Sequence, residues 1–194
     1  MAAFRASTYI RSALAGGCLL VAAVGSPSAL QVAAPPDPRL ESFDAAVARY
    51  AALRARIQEP LPDFDDPRRD DWTRLLMRRY LASAIRTARR EAEPGAIFAP
   101  AAETFREIIA RAIYEVDIEG LVDLVPGEDG FVLDLALNEP VAARAMSPMP
   151  RPLLERLPPL PAAIEYRIAG GALILWDAHA EILIDALPDA FVAP

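Results

Sequence analysis

The chain has 194 residues, 54% of them apolar, and a formal charge of −7. That length suits one ordinary domain with a sizeable buried core, and the negative charge makes nucleic acid a poor partner. All twenty basic residues are arginine, and the one cysteine, Cys18, lies near the N-terminus.

Arg5 and Arg11 are the only charges in the first 28 residues. A twelve-residue apolar run from Ala13 to Val24 follows, and then come small residues, Ser26, Ser28 and Ala29. This order is that of a secretory signal peptide. The run is too short for a bilayer core, which takes about 20 residues. Residues 1–28 therefore read as a general secretory signal, giving a periplasmic or secreted bacterial protein with no transmembrane span after its removal. Arg5 and Arg11 are not adjacent, so twin-arginine export is not indicated. Leu14-Ala15-Gly16-Gly17-Cys18 offers a competing reading, lipoprotein anchoring through Cys18. Its leucine stands four places before the cysteine instead of three, and Leu19-Leu20-Val21 prolongs the apolar run, so ordinary cleavage is favoured. Cleavage between Ser28 and Ala34 would remove Cys18 and leave no thiol for a disulfide, a nucleophile or a metal.

Residues 29–38 form a proline-rich leader. Asp37-Pro38 then has the form of a helix start, an N-cap acid followed by proline in the first turn. Leu40, Phe43, Val47, Tyr50, Leu53 and Ile57 recur at helical spacing until Pro60 and Pro62. Asp66-Pro67 repeats the start signal and predicts a second helix over about Pro67 to Ala92. Turned 100° per residue, it places Trp72, Leu76, Met77, Tyr80, Leu81, Ala84 and Ala88 on one half. Arg74, Arg78, Arg79, Arg86, Arg89 and Arg90 fall on the other. A third helix is predicted from near Pro100 to Val116, with Phe105, Ile108, Ile109, Ala112, Ile113 and Val116 as its core stripe. A helical turn over Ile118–Val125 follows.

At Pro126-Gly127-Glu128-Asp129-Gly130 the period changes, and Phe131–Leu137 alternates as a strand does. Seven prolines between Pro140 and Pro161 exclude a central strand there and leave room for one helical turn, Leu153–Leu157. Ile164, Tyr166 and Ile168 alternate up to Gly170-Gly171, a hairpin turn. Leu173–Trp176 and Ile182–Ile184 are apolar on both faces and read as central strands. The expected fold is a single α+β domain over 39–194. N-terminal helices (39–125) pack on one face of a small C-terminal antiparallel sheet (131–187).

The ending Leu157-Pro158-Pro159-Leu160-Pro161, Ile164-Glu165-Tyr166-Arg167, Leu173-Ile174-Leu175-Trp176-Asp177 and Ile182-Leu183-Ile184-Asp185 resembles that of an uncharacterised family of exported bacterial proteins. The likeness covers about the last 60 residues. It implies an export signal and an envelope location, and brings no catalytic or binding residue with it.

The residues themselves restrict the chemistry. His179 is the only histidine, and no serine stands in a Gly-x-Ser-x-Gly elbow. Phosphate loops, dinucleotide fingerprints and His-Glu-x-x-His are absent, so no cofactor is expected. Asp177, His179 and Glu181 would share one face if their segment were extended, and could then hold a metal ion for a hydrolase. The simpler reading is a turn between two strands. The acids Asp65, Asp66, Asp70 and Asp71 beside Trp72 read as helix caps before glycosidase carboxylates.

Charge is uneven: residues 39–90 carry +4 and residues 91–194 carry −12. The arginine face of the second helix, around Arg78, Arg79 and Arg86, is the strongest surface feature, with the proline-rich loop from Pro140 to Pro161 beside it as a second contact surface. Either it binds an envelope protein or an anionic lipid surface, or it is solvated and partly paired with the acidic half. The leading expectation is thus a non-enzymatic interaction module. The alternatives are a carboxylate- or metal-dependent hydrolase and a structural subunit of an envelope complex.

Overall fold

The computed structural model describes residues 37–116 and 136–191. The signal segment, most of the leader, the turn over 118–125, the turn cluster at 126–130 and the strand residues 131–135 lie outside the described residues.

Helix α1 runs Pro38–Gln58 and starts where its sequence says it should. The Asp37 carboxylate accepts from the Arg39 N–H, and Pro38 occupies the first turn. Helix α2 is shorter than expected, Asp71–Ala88, because Asp70 and not Asp66 is its N-cap, accepting from the backbone N–H and the hydroxyl of Thr73. Asp66 instead closes a turn by accepting from the Arg68 N–H. A 3-10 turn at Ala99–Ala101 leads into α3, Ala102–Val116.

The proline-rich stretch supplies small elements only: a 3-10 turn at Ala143–Ala145, a two-residue strand β1 (Ser147–Pro148) and a single helical turn α4 (Arg151–Leu154). The helical turn begins two residues before the expected Leu153, at Pro150-Arg151-Pro152, where prolines fit the first turn. Strands β2 (Ile164–Ala169), β3 (Ala172–Asp177) and β4 (Ile182–Leu187) follow. They form one antiparallel sheet in the order β1-β2-β3-β4. Gly170 and Gly171, at φ +54° and +78°, make the tight turn between β2 and β3.

Helices before strands, packed on one sheet face, make this an α+β arrangement. The helical face buries Phe43, Leu81, Ile85, Phe98, Phe105 and Ile109 against Ile168, Leu173, Leu175 and Ile182. Phe43, Phe98 and Phe105 form an aromatic cluster with ring centroids 4.7–5.5 Å apart. The opposite face is also covered. Ile174, Trp176 and Leu183 pack with Leu137, Val141, Ala143 and Met146 from the proline-rich segment, and the Trp176 Nε1–H donates to the Val141 carbonyl at 3.0 Å. Cover on both faces explains why β3 and β4 lack the polar alternation of a half-solvated sheet.

One sequence expectation is overturned. Helix α2 buries Met77, Leu81, Ala82 and Ile85, whereas Trp72, Leu76 and Tyr80, expected in the core, are 64%, 48% and 52% exposed. The helix is turned by about 100° from the expected orientation, one residue's step. Arg89, expected on the polar half, goes with the buried side. It lies at the end of the buried side and reaches inward to the sheet.

The Thr73 N–H and hydroxyl hold the Asp70 carboxyl below the usual carboxylate range. A lowered folded-state value adds stability above the unfolded value and loses it as pH falls through the folded one. Asp70→Ala should therefore lower the urea midpoint at pH 6, and the gap from wild type should close below about pH 4. A gap that persists in acid would show that the loss is not electrostatic.

Candidate functional site

Asp177 ends β3 with its side chain fully buried. Four donors converge on it. The Tyr50 hydroxyl and the Arg54 Nε–H, both from α1, reach Oδ2 at 2.8 Å. The His179 and Ala180 N–H groups reach Oδ1 at 3.0 and 2.9 Å. The carboxylate thus closes the β3–β4 turn and anchors α1 to the sheet in one step. A buried charge needs such a partner set, since its desolvation is large unless the lone pairs are all met. Burial and the neighbouring Asp177 charge push the Tyr50 hydroxyl far above its ordinary value, so it stays a donor.

His179 stands at the rim of this anchor. Arg54 Nη2 lies 2.7 Å from Nδ1. A guanidinium can only donate, so Nδ1 accepts and the ring proton sits on Nε2. That nitrogen faces Asp65 Oδ1 at 3.4 Å, and Phe64 stacks on the ring at 4.8 Å. Arg54 and Asp65 thus flank the two ring nitrogens.

Glu181 turns away. Its backbone is left-handed at φ +52°, and its carboxylate pairs with Arg78 at 3.0 Å. Asp177, His179 and Glu181 are therefore not brought together as metal ligands, because the segment is a turn and not the extended strand that a ligand set required. Among the described residues no three His, Cys, Asp or Glu side chains cluster as metal ligands.

A second buried carboxylate does matching work on β4. The register of β3 against β4 slips between Leu175 and Trp176, so Leu175 faces Asp185 while Trp176 faces Leu183. This bulge puts Ile184 and Asp185 on the same side of the sheet and aims Asp185 at the helical half. There it accepts from the N–H groups of Gly95 (2.6 Å), Ile97 (2.7 Å) and Phe98 (3.1 Å). Burial raises its pKa, and the backbone donors oppose that rise. Arg89 lies between the two anchors, its guanidinium 5.0 Å from the Tyr50 ring centroid. It donates to the Asn138 side-chain oxygen at 2.7 Å and the Ile184 carbonyl at 3.0 Å. Burial lowers its proton affinity, countered by Tyr50 and Asp185.

The arginine face divides in two. Arg78 is held by Glu181, and Arg86 pairs with Glu139 at 2.9 Å. Together with Arg54–Asp177 these pairs join the basic first half of the chain to its acidic second half. Arg79 is exposed and makes no ion pair among the described residues. The proline-rich loop, the other surface expected to make contacts, carries an open cleft of about 670 Å³ between α4 and β2, lined by Met149, Leu154, Leu157, Leu160 and Tyr166. Its charged wall groups are already paired, Glu155 with Arg151 and Glu165 with Arg167.

The sequence reading missed Tyr50 and Arg54 as site residues, although a signal was present. Arg54 lies four residues after Tyr50, so the two share a side of α1 and can reach one acceptor. Removing that acid should be severe. Asp177→Ala is expected to cost about 3–5 kcal/mol because it strands Arg54, whereas Tyr50→Phe should cost about 1–2 kcal/mol. Equilibrium unfolding measures both, and equal losses would contradict the hierarchy. Asp185→Ala should cost about 3 kcal/mol by orphaning three N–H groups, with faster amide exchange at Gly95, Ile97 and Phe98.

Comparison with known proteins returns no matching family model, no matching curated protein and no matching solved structure.

Proposed function

We propose that the protein is an exported bacterial envelope protein that acts by contact and not by catalysis, through the outward side of α2. Export is supported by the order of charged, apolar and small residues in 1–28 and by the resemblance of the C-terminal pattern to exported proteins. The contact reading is carried by one observation. Trp72, Leu76 and Tyr80 stand in a row on the side of α2 facing away from the core, beside Arg79, which makes no ion pair among the described residues. Exposed apolar residues gathered in this way mark interaction sites more often than isolated ones do.

The chain's only histidine supports the same reading. Its ring is flanked by Arg54, Asp65 and Phe64, partners that suit a structural place in the β3–β4 turn. The contact surface originally expected at Arg78, Arg79 and Arg86 narrows to Arg79 and the adjacent apolar row, with Arg86 as a rim charge.

Two measurements test this. N-terminal sequencing of the protein from its native host should place the mature start between residues 29 and 35, and an intact Met1 would defeat export. A photo-crosslinker at exposed Ser83, in the middle of the outward side, should give a reproducible adduct in intact cells. The adduct should weaken in Arg79→Glu and be absent with the crosslinker at Tyr114 on α3. No adduct at Ser83 would defeat the contact reading.

A further inference from the structure

We infer that the surface engaged by α2 is an anionic lipid bilayer, entered by Trp72, Leu76 and Tyr80. The inference rests on the contact reading above and names its partner.

Helical geometry comes first. Residues 72, 76 and 80 fall within about 80° of arc and span about 12 Å along the axis. Arg79, Ser83, Arg86 and Thr87 share that side, and all four are exposed. The buried residues Met77, Leu81, Ala82 and Ile85 lie opposite. The helix is thus amphipathic twice over, with one apolar side spent in the core and a second, aromatic row turned outward among arginines.

Charge then selects the partner. The outward side of α2 carries Arg79 and Arg86 and no acidic residue of the helix. A second copy docked helix to helix would set these charges against each other, which rules against self-association through this side. Of the arginines on or beside the outward side, Arg79 makes no ion pair among the described residues. Arg86 shares a surface pair with Glu139 in which both groups are nearly half exposed. Such a pair is worth little in water and can be exchanged for a lipid phosphate. Each arginine near an anionic bilayer surface contributes about 1 kcal/mol.

The shape of the row decides between protein and lipid. A stable protein interface takes about 800 Å² from each partner in a shape-matched patch. A single row of three side chains on a convex helix falls well short of that. A bilayer demands no matching shape, and tryptophan and tyrosine settle at its headgroup level with the ring in apolar surroundings and the polar edge wet. The same row that is small for a protein partner is adequate for shallow, reversible membrane attachment.

The test titrates the mature protein with vesicles of phosphatidylglycerol mixed with phosphatidylethanolamine, and separately with phosphatidylcholine vesicles. The chain has two tryptophans, and Trp176 is buried and hydrogen-bonded, so Trp72 reports the contact. Its emission should shift to the blue and become shielded from acrylamide with the anionic vesicles only, and added salt should reverse both. The double variant Leu76→Glu/Tyr80→Glu should lose about tenfold or more in partitioning at an unchanged melting temperature. Ser83→Glu, which adds a charge to the same side at an exposed position, should weaken binding in the same direction and covers the case in which the double variant folds poorly. Equal binding to phosphatidylcholine, or full binding by Ser83→Glu and the double variant, would overturn the proposal. No response to either vesicle together with a protein adduct at Ser83 would defeat the lipid partner and leave the contact reading standing. Silence in both experiments would defeat both.

Discussion

Burying a carboxylate is costly unless donors meet its oxygens, and this fold buries two and meets both. Asp177 and Asp185 both sit on the helical side of the sheet, and each draws a different part of the helical half onto the strands. The first takes α1 through Tyr50 and Arg54. The second takes the loop between α2 and α3 through three backbone N–H groups. Apolar packing supplies the greater part of the cohesion, but it is non-directional. The carboxylates fix which residue of α1 lies over which residue of β3. Arg89 joins the two by covering the Tyr50 ring and bonding to the Ile184 carbonyl, so the anchors form one connected polar layer inside an apolar domain.

The same layer bears on what faces outward. Helix α2 turns its Ile85 and Leu81 side down with Arg89 reaching inward at its end, and leaves Trp72, Leu76 and Tyr80 in solvent. The candidate contact surface is therefore tied to the interior: the orientation that points Arg89 inward is the one that leaves an apolar stripe on the exterior.

Much of the architecture was legible in the residues. Asp37-Pro38 marked the first helix, Gly170-Gly171 marked the hairpin, and the doubly apolar β3 marked the sheet centre; β4, expected to be central as well, is last in the strand order and is apolar because both of its faces are covered. The orientation of α2 was not legible, because a 3.6-residue period shows where apolar residues gather without saying which arc a distant acid will claim. The start of α2 was displaced for a similar reason. Asp66 and Asp70 carry the same N-cap signal, and only the Thr73 hydroxyl distinguishes the one that caps. At the candidate site, the Asp177–Glu181 alternation suggested ligands on one face. Two features hidden from spacing decided against it: the left-handed backbone at Glu181 and the four donors awaiting Asp177. The bulge that redirects Asp185 left no trace in the pattern, since Ile184-Asp185 reads equally well as ordinary alternation.

The brevity of β1 has its own consequence. At the margin of the sheet stand only two residues, and Pro148, one of them, has no amide hydrogen to offer a passing strand. Beyond them the chain coils at once into α4. The sheet is thereby given a blunt border on this side. Neighbouring molecules find little there on which to extend a fibril.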